Sequence, residues 1–358
     1  MKLSKNTRFI LFLLTITFLI NFCGGLMNKK EQFSFKIEKD SETGWSIVTL
    51  SYADPDDSSQ NKVVKICPDA GDNLFYFKIG KYEIINQPPS ISNLRDVHFG
   101  TPVLYPTPNR VRNCKYTFMG EEIHQVKNGK ERYLHGLVYD EPWEFEEPVV
   151  SESSVILKSY ITITKDHHLF PSFPFENTIR LSFTLMKDRL RFEYEVENQG
   201  KKPLPYGFGL HPYFKTFGER KDNLIQADVQ KAFVAINLLP TGKLYNIKGT
   251  PQDIRKLTSL EKLDLDHVYY GITPETKVKL NYNKINLQVS LRASEDFTHL
   301  VVYTPIKKDF FCIENQTCST DAHNMYEKDY KDISHLLIVE PEKKMSGWVE
   351  YIPKLISQ

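Results

Sequence analysis

The chain has 358 residues, 41% of them hydrophobic, with 46 Lys and Arg against 45 Asp and Glu and a formal net charge of +1. That length and apolar content suffice for one large core or two smaller ones. Charges of both signs are mixed along the chain, which excludes a basic stripe for nucleic acid and an acidic tail for a polycationic partner.

At the N-terminus, Lys2, Lys5 and Arg8 precede an uncharged run over residues 9–22, and Cys23-Gly24-Gly25 follows. The run is shorter than the ~20 residues of a spanning helix. A basic region ahead of a short apolar run reads as a secretory signal. A cysteine directly after it resembles the signal of a bacterial lipoprotein, in which Cys23 is lipidated and becomes the mature N-terminus. Leu19 and Ile20 suit that pattern; Phe22, where a small residue is usual, departs from it. The expectation is a signal peptide over residues 1–22, a lipid-attached tether over 23–34 and one folded domain over 35–358. Such a protein is exported and touches a membrane only through its N-terminal lipid or, if the segment is not cleaved, through that segment as an anchor, at the periplasmic face or the cell surface.

Along the domain, alternation of apolar and polar residues dominates. Phe33, Phe35 and Ile37 open the series, and residues 54–61 form a polar loop. Asn128-Gly129 is a strong hairpin signal. Ile179, Leu181, Phe183 and Leu185 alternate up to Lys187-Asp188, and Leu190, Phe192, Tyr194 and Val196 resume the pattern, which predicts a second hairpin. Residues 257–265 are the best candidate for a short helix, and residues 277–291 read as a hairpin turning near Asn283-Lys284. The 19 Tyr and 23 Phe fit strand propensity. Many antiparallel strands without intervening helices predict an all-β fold, a large antiparallel β-sandwich.

Beyond Cys23 the cysteines are Cys67, Cys114, Cys312 and Cys318, with no Cys-x-x-Cys pair, so neither a zinc site nor a disulfide scaffold is indicated. Free thiols are expected, in preference to a Cys312–Cys318 bridge. Asp54-Pro55-Asp56-Asp57 lacks the glycine and distal glutamate of a calcium loop, and His167-His168 has no companion ligand. No metal and no cofactor are expected.

Three segments carry chemistry: Leu134-His135-Gly136, Gly209-Leu210-His211-Pro212-Tyr213-Phe214 and Phe311-Cys312-Ile313-Glu314-Asn315-Gln316-Thr317. Each places an ionisable group at the edge of an apolar, strand-like run. A carboxylate and an imidazole titrate on either side of neutrality and together hold a base and an acid near pH 7.

From Ile66 to the C-terminus the chain resembles the aldose 1-epimerase (galactose mutarotase) family. The resemblance rests on Ile66-Cys67-Pro68-Asp69-Ala70-Gly71, Tyr105-Pro106-Thr107-Pro108-Asn109-Arg110-Val111, Asn128-Gly129, the three segments above and Leu265-Asp266-His267, in that family's order. It implies a galactose mutarotase-like supersandwich with Glu314 as general base and His211 as general acid. It also implies that His135 lies near the ring oxygen and that Arg110 and Asp266 bind sugar hydroxyls. The implied partner is an aldohexose, with no cofactor. The chain departs from the family at Asn315, where proline is common, and at residues 138–140, where an arginine is often found. A broad pH optimum near neutrality is expected, with Glu314 setting the acid limb and His211 the alkaline limb. Two other readings remain: a non-catalytic carbohydrate-binding surface lipoprotein, and a hexose-6-phosphate 1-epimerase.

Overall fold

The computed structural model describes residues 32–356. The expected signal peptide, Cys23 and most of the tether lie outside the described residues. The first strand, Phe33–Lys39, begins two residues ahead of the expected domain start, because Phe33 is buried against Tyr52.

Three antiparallel sheets carry the fold. A five-stranded meander runs through Phe33–Lys39, Ser46–Tyr52, Lys62–Cys67, Asn73–Ile79 and Tyr82–Glu83. A ten-stranded sheet is centred on Asn177–Met186, Leu190–Asn198, Lys344–Leu355 and Leu287–Ala293. An eight-stranded sheet holds Lys231–Ile236, Asp266–Tyr270, His299–Tyr303 and Phe310–Gln316 side by side. The β-sandwich expected from the alternation is therefore what forms.

Period two explains the packing. Opposed pairs such as Leu181↔Tyr194 and Phe183↔Phe192 place large side chains on one face, and the last pair meets edge to face at 5.5 Å. One core joins Leu50 and Phe77 of the meander, Phe183 and Tyr351 of the largest sheet, and Phe311 and Ile313 of the third. The third sheet therefore turns Phe311 and Ile313 into the core, and Cys312, Glu314 and Gln316 to its other face.

The hairpins fall where expected, at Asn128-Gly129, Lys187-Asp188 and residues 283–286. The helix expected over residues 257–265 does not form. Thr258–Ser259 is a strand, Leu260–Lys262 a single 3-10 turn, and the rest is extended. Arg220 bears on the difference: its guanidinium donates to the carbonyls of Leu260 and Leu263 at 3.2 and 2.9 Å, and a helix over these residues would have paired the first of them internally. The two short α-helices among the described residues lie instead at Ala322–Glu327 and Lys331–Ser334. Cys67, Cys114, Cys312 and Cys318 are buried free thiols.

Candidate active site

Register in the third sheet sets the geometry of the site. Glu314 lies opposite Val301, and Val301 opposite Val268, so these side chains share a face. Asp266 stands two residues before Val268 on the same strand, which puts it on that face as well. His211 follows the Gly209–Leu210 strand, its N–H donating to Pro102 O at 3.1 Å. Tyr213, two residues on, lies opposite Cys312 and stacks on the His211 ring at 4.5 Å.

A separate strap delivers His135 and Arg110. The backbone N–H of His135 donates to Asn109 O at 2.7 Å, that of Leu137 to Tyr105 O at 2.8 Å, and Arg110 bridges to Leu134. His135 adopts a left-handed φ of 64°, and Gly136 follows at 74°. A side chain at Gly136 would put its Cβ 2.3 Å from Tyr105 O, so only glycine allows this approach. The two motif segments thus lie side by side.

All five expected residues converge on one region. His211 Nε2 is 3.1 Å from Glu314 Oε1, and both side chains are almost wholly buried. The His135 ring meets the His211 ring edge-on at 4.9 Å. Arg110 Nη2 stands 3.6 Å from Asp266 Oδ2, both partly exposed, at the wall of a cleft of ≈ 560 Å³. Asn109, Phe233, Val268 and Thr320 also line this cleft.

Burial dominates the electrostatics. It pushes the Glu314 carboxyl well above the usual carboxylate range, aided by Asp266 and opposed by a hydrogen bond from Gln316 and by the charge of Arg110. Burial also holds His211 down to about 3 and His135 well below the ordinary imidazole value. His98, on the preceding loop, disfavours charge on both histidines.

Gln316 escaped the sequence reading. Its Nε2 donates to Glu314 Oε2 at 2.8 Å, orienting the carboxylate. Its position two residues after Glu314 on one strand was the available signal. Asn315, where the chain departs from the family pattern, sits on the opposite face in register with Leu300, and the strand continues through it. Buried polar atoms without a protein partner cluster around the site: His135 Nδ1, His211 Nδ1, Gln316 Oε1 and Thr320 Oγ1. A ligand rich in hydroxyls can satisfy such atoms. Among the described residues, no group of three or more His, Cys, Asp or Glu is arranged to hold a metal ion.

The family model described as aldose 1-epimerase matches residues 80–351. The chain is 32% identical to the uncharacterized protein YphB of Escherichia coli K12 over 231 residues, covering 63% of this chain and 75% of that one. It is 25% identical to galactose mutarotase of Mus musculus over 168 residues, 46% of this chain and 47% of the relative. In fold it is similar to a galactose mutarotase-like protein from Clostridium acetobutylicum, with a TM-score of 0.79 at 18% identity over 91% of this chain and 99% of that one. Galactose 1-epimerase from Lactobacillus acidophilus NCFM is also similar, with a TM-score of 0.69 at 16% identity over 91% and 99% of the two chains.

Proposed function

The chain belongs to the aldose 1-epimerase family, and on that premise we propose that it interconverts the α and β anomers of an aldohexose by acid/base ring opening and closure. The observation that carries this reading is the contact of His211 Nε2 with Glu314 Oε1 at 3.1 Å. The anomeric hydroxyl and the ring oxygen of a sugar hang from the same carbon. A base for one and an acid for the other can therefore act from neighbouring positions, which these two groups occupy.

In the forward direction Glu314 takes the proton from the C1 hydroxyl while His211 protonates the ring oxygen. The C1–ring oxygen bond breaks and an aldehyde forms. Rotation about C1–C2 presents the other face of the aldehyde, and as the ring closes His211 takes its proton back from the hydroxyl that was the ring oxygen while Glu314 gives its proton to the aldehyde oxygen. Atoms and electrons balance without an external oxidant or reductant. His135 lies beside His211 and is placed to donate to the ring-oxygen side. Arg110 and Asp266 bind neighbouring hydroxyls, the guanidinium through a fixed fork of donors. The same proposal includes export through the N-terminal segment and lipid attachment at Cys23, supported by the order of basic residues, apolar run and cysteine.

Polarimetry on freshly dissolved α-aldohexoses tests the activity. The wild type should speed the approach to equilibrium rotation for at least one of them. No acceleration with any would overturn the assignment.

A further inference from the structure

We propose that the open edge of the first strand, Phe33–Lys39, pairs antiparallel with the same strand of a second copy of this chain. The two five-stranded meanders then form one continuous sheet across a twofold axis at Ile37.

The strand lies at the end of its sheet, paired with Ser46–Tyr52 on one side. Its hydrogen bonding is fixed at both ends. Asp40 N–H donates to Trp45 O and Ala53 N–H donates to Gln32 O, both at 2.8 Å. Bonded and non-bonded pairs alternate along an antiparallel ladder, so Ser34, Lys36 and Glu38 turn their backbone groups toward Ser46–Tyr52. Phe35, Ile37 and Lys39 turn theirs outward, and among the described residues no backbone group meets them. An edge of this kind is a template for a further strand.

Charge selects the register. Opposed side chains share a face of the sheet, so a twofold axis between two copies of one strand passes through a single residue. An axis at Lys36, Glu38 or Lys39 sets two like charges directly opposite each other, which is unfavourable. An axis at Phe35 leaves Lys36 facing Ser34 and Glu38 facing Gln32. An axis at Ile37 makes the charges complementary: Lys36 faces Glu38 of the second copy, and Glu38 faces Lys36 of the second copy. Both are non-hydrogen-bonded pairs, in which side chains approach most closely. Lys36 and Glu38 already pair along their own strand. The four groups would therefore alternate in sign around a square.

Backbone and apolar contacts follow from the same register. Ile37 exchanges both of its outward hydrogen bonds with its own copy, and Phe35 does the same with Lys39 of the second copy. Ile37 is 40% exposed, and the adjacent Val149–Val150 strand, with Cα atoms within 8 Å, carries valines at 62% and 40%. The second copy thus meets an apolar surface beside the paired edge. The result is an isologous interface that closes at two copies.

The test uses the full chain in detergent, in a Cys23→Ser background, the other four cysteines being buried. Ile37→Cys should form an intermolecular disulfide under mild oxidation, because a hydrogen-bonded pair holds its Cα atoms about 5.5 Å apart, within disulfide range. Lys39→Cys, which faces Phe35 of the second copy, should not. Sedimentation equilibrium without the added cysteines should show a dimer. Its dissociation constant should rise about tenfold or more in Lys36→Glu and in Glu38→Lys. The double variant, which restores both pairs with the signs exchanged, should return toward the wild-type value. Melting curves check that each variant folds, and its anomer interconversion should match the wild type. A monomer at every concentration, no disulfide at Ile37→Cys, a dimer indifferent to the single reversals, or a loss that the double variant does not recover would overturn the proposal.

Discussion

His211 and Glu314 share one proton, and burial decides where it rests. With the carboxyl pushed well up and the imidazole held down to about 3, the proton of the free pair sits mainly on Glu314, and it has to pass to His211 across their 3.1 Å contact before the forward step can run. The pair titrates as a unit. A second proton is gained only near the lowered value of His211, and the last is lost as pH rises through the raised value of Glu314. The one-proton pair is the form that can act, so kcat/KM should fall on the alkaline side as Glu314 ionises and hold well below neutrality. This reverses the limbs expected from free side chains, which ignored the burial of both groups. A rate that climbs through the ionisation of the carboxyl would contradict it. Removing either partner has a size that general acid/base catalysis sets. Glu314→Gln and His211→Asn should each cost ~10²–10⁴-fold in kcat, with melting curves showing a retained fold. The five site residues were legible because each sits in a local pattern of its own. Gln316 and Tyr213 were recoverable only from period two on their strands, and Phe233 had no local signal, since the pairing of its strand with Asp266–Tyr270 brings it to the cleft.

The elements that position the site draw on a buried ion network. Lys127, beside the Asn128-Gly129 turn, donates to Leu137 O at 2.9 Å and pairs with Asp140 and Glu141 while its own side chain is almost fully buried. Arg132 adds a second contact to Asp140. These groups clamp the strap that holds His135 in its left-handed conformation. Lys127→Met leaves the carboxylates without their buried cation and should destabilise the fold by about 3–5 kcal/mol in chemical denaturation. A loss under about 1 kcal/mol would show that the network does not hold the strap. Local signals sufficed for the hairpins: Asn128 and Gly129 take φ values of 52° and 71°, the pair of positive angles a two-residue turn demands. They failed at residues 257–265, where Arg220, from more than thirty residues upstream, donates to two of the backbone carbonyls.

Across the whole molecule, Asp72 joins two sheets, accepting from the Ser159 hydroxyl in complete burial. Burial pushes its carboxyl up to about 7. A folded value raised above the unfolded ~3.9 gives stability that is fully present below pH 4 and is lost as pH rises toward 7. The wild type should therefore lose more melting temperature between pH 4 and pH 8 than Asp72→Asn does; parallel curves for the two proteins would rule this out. At the other end of the chain, Cys23→Ser should release the protein from the membrane fraction, and mass analysis of the wild type should find a mature N-terminus at a modified Cys23. An intact Met1 on a membrane-bound wild type would show an uncleaved anchor instead. Stable attachment needs more than one acyl chain, which a fully modified cysteine supplies. The central claim is acid/base opening of a sugar ring, and exchange NMR on the anomeric protons of an equilibrated aldose measures it most directly. Catalytic amounts of wild-type protein should raise the α-to-β exchange rate, Glu314→Gln should leave it near the buffer rate, and a methyl glycoside, whose C1 oxygen carries no proton, should not exchange. Exchange with the methyl glycoside, or exchange undiminished in Glu314→Gln, would contradict the account.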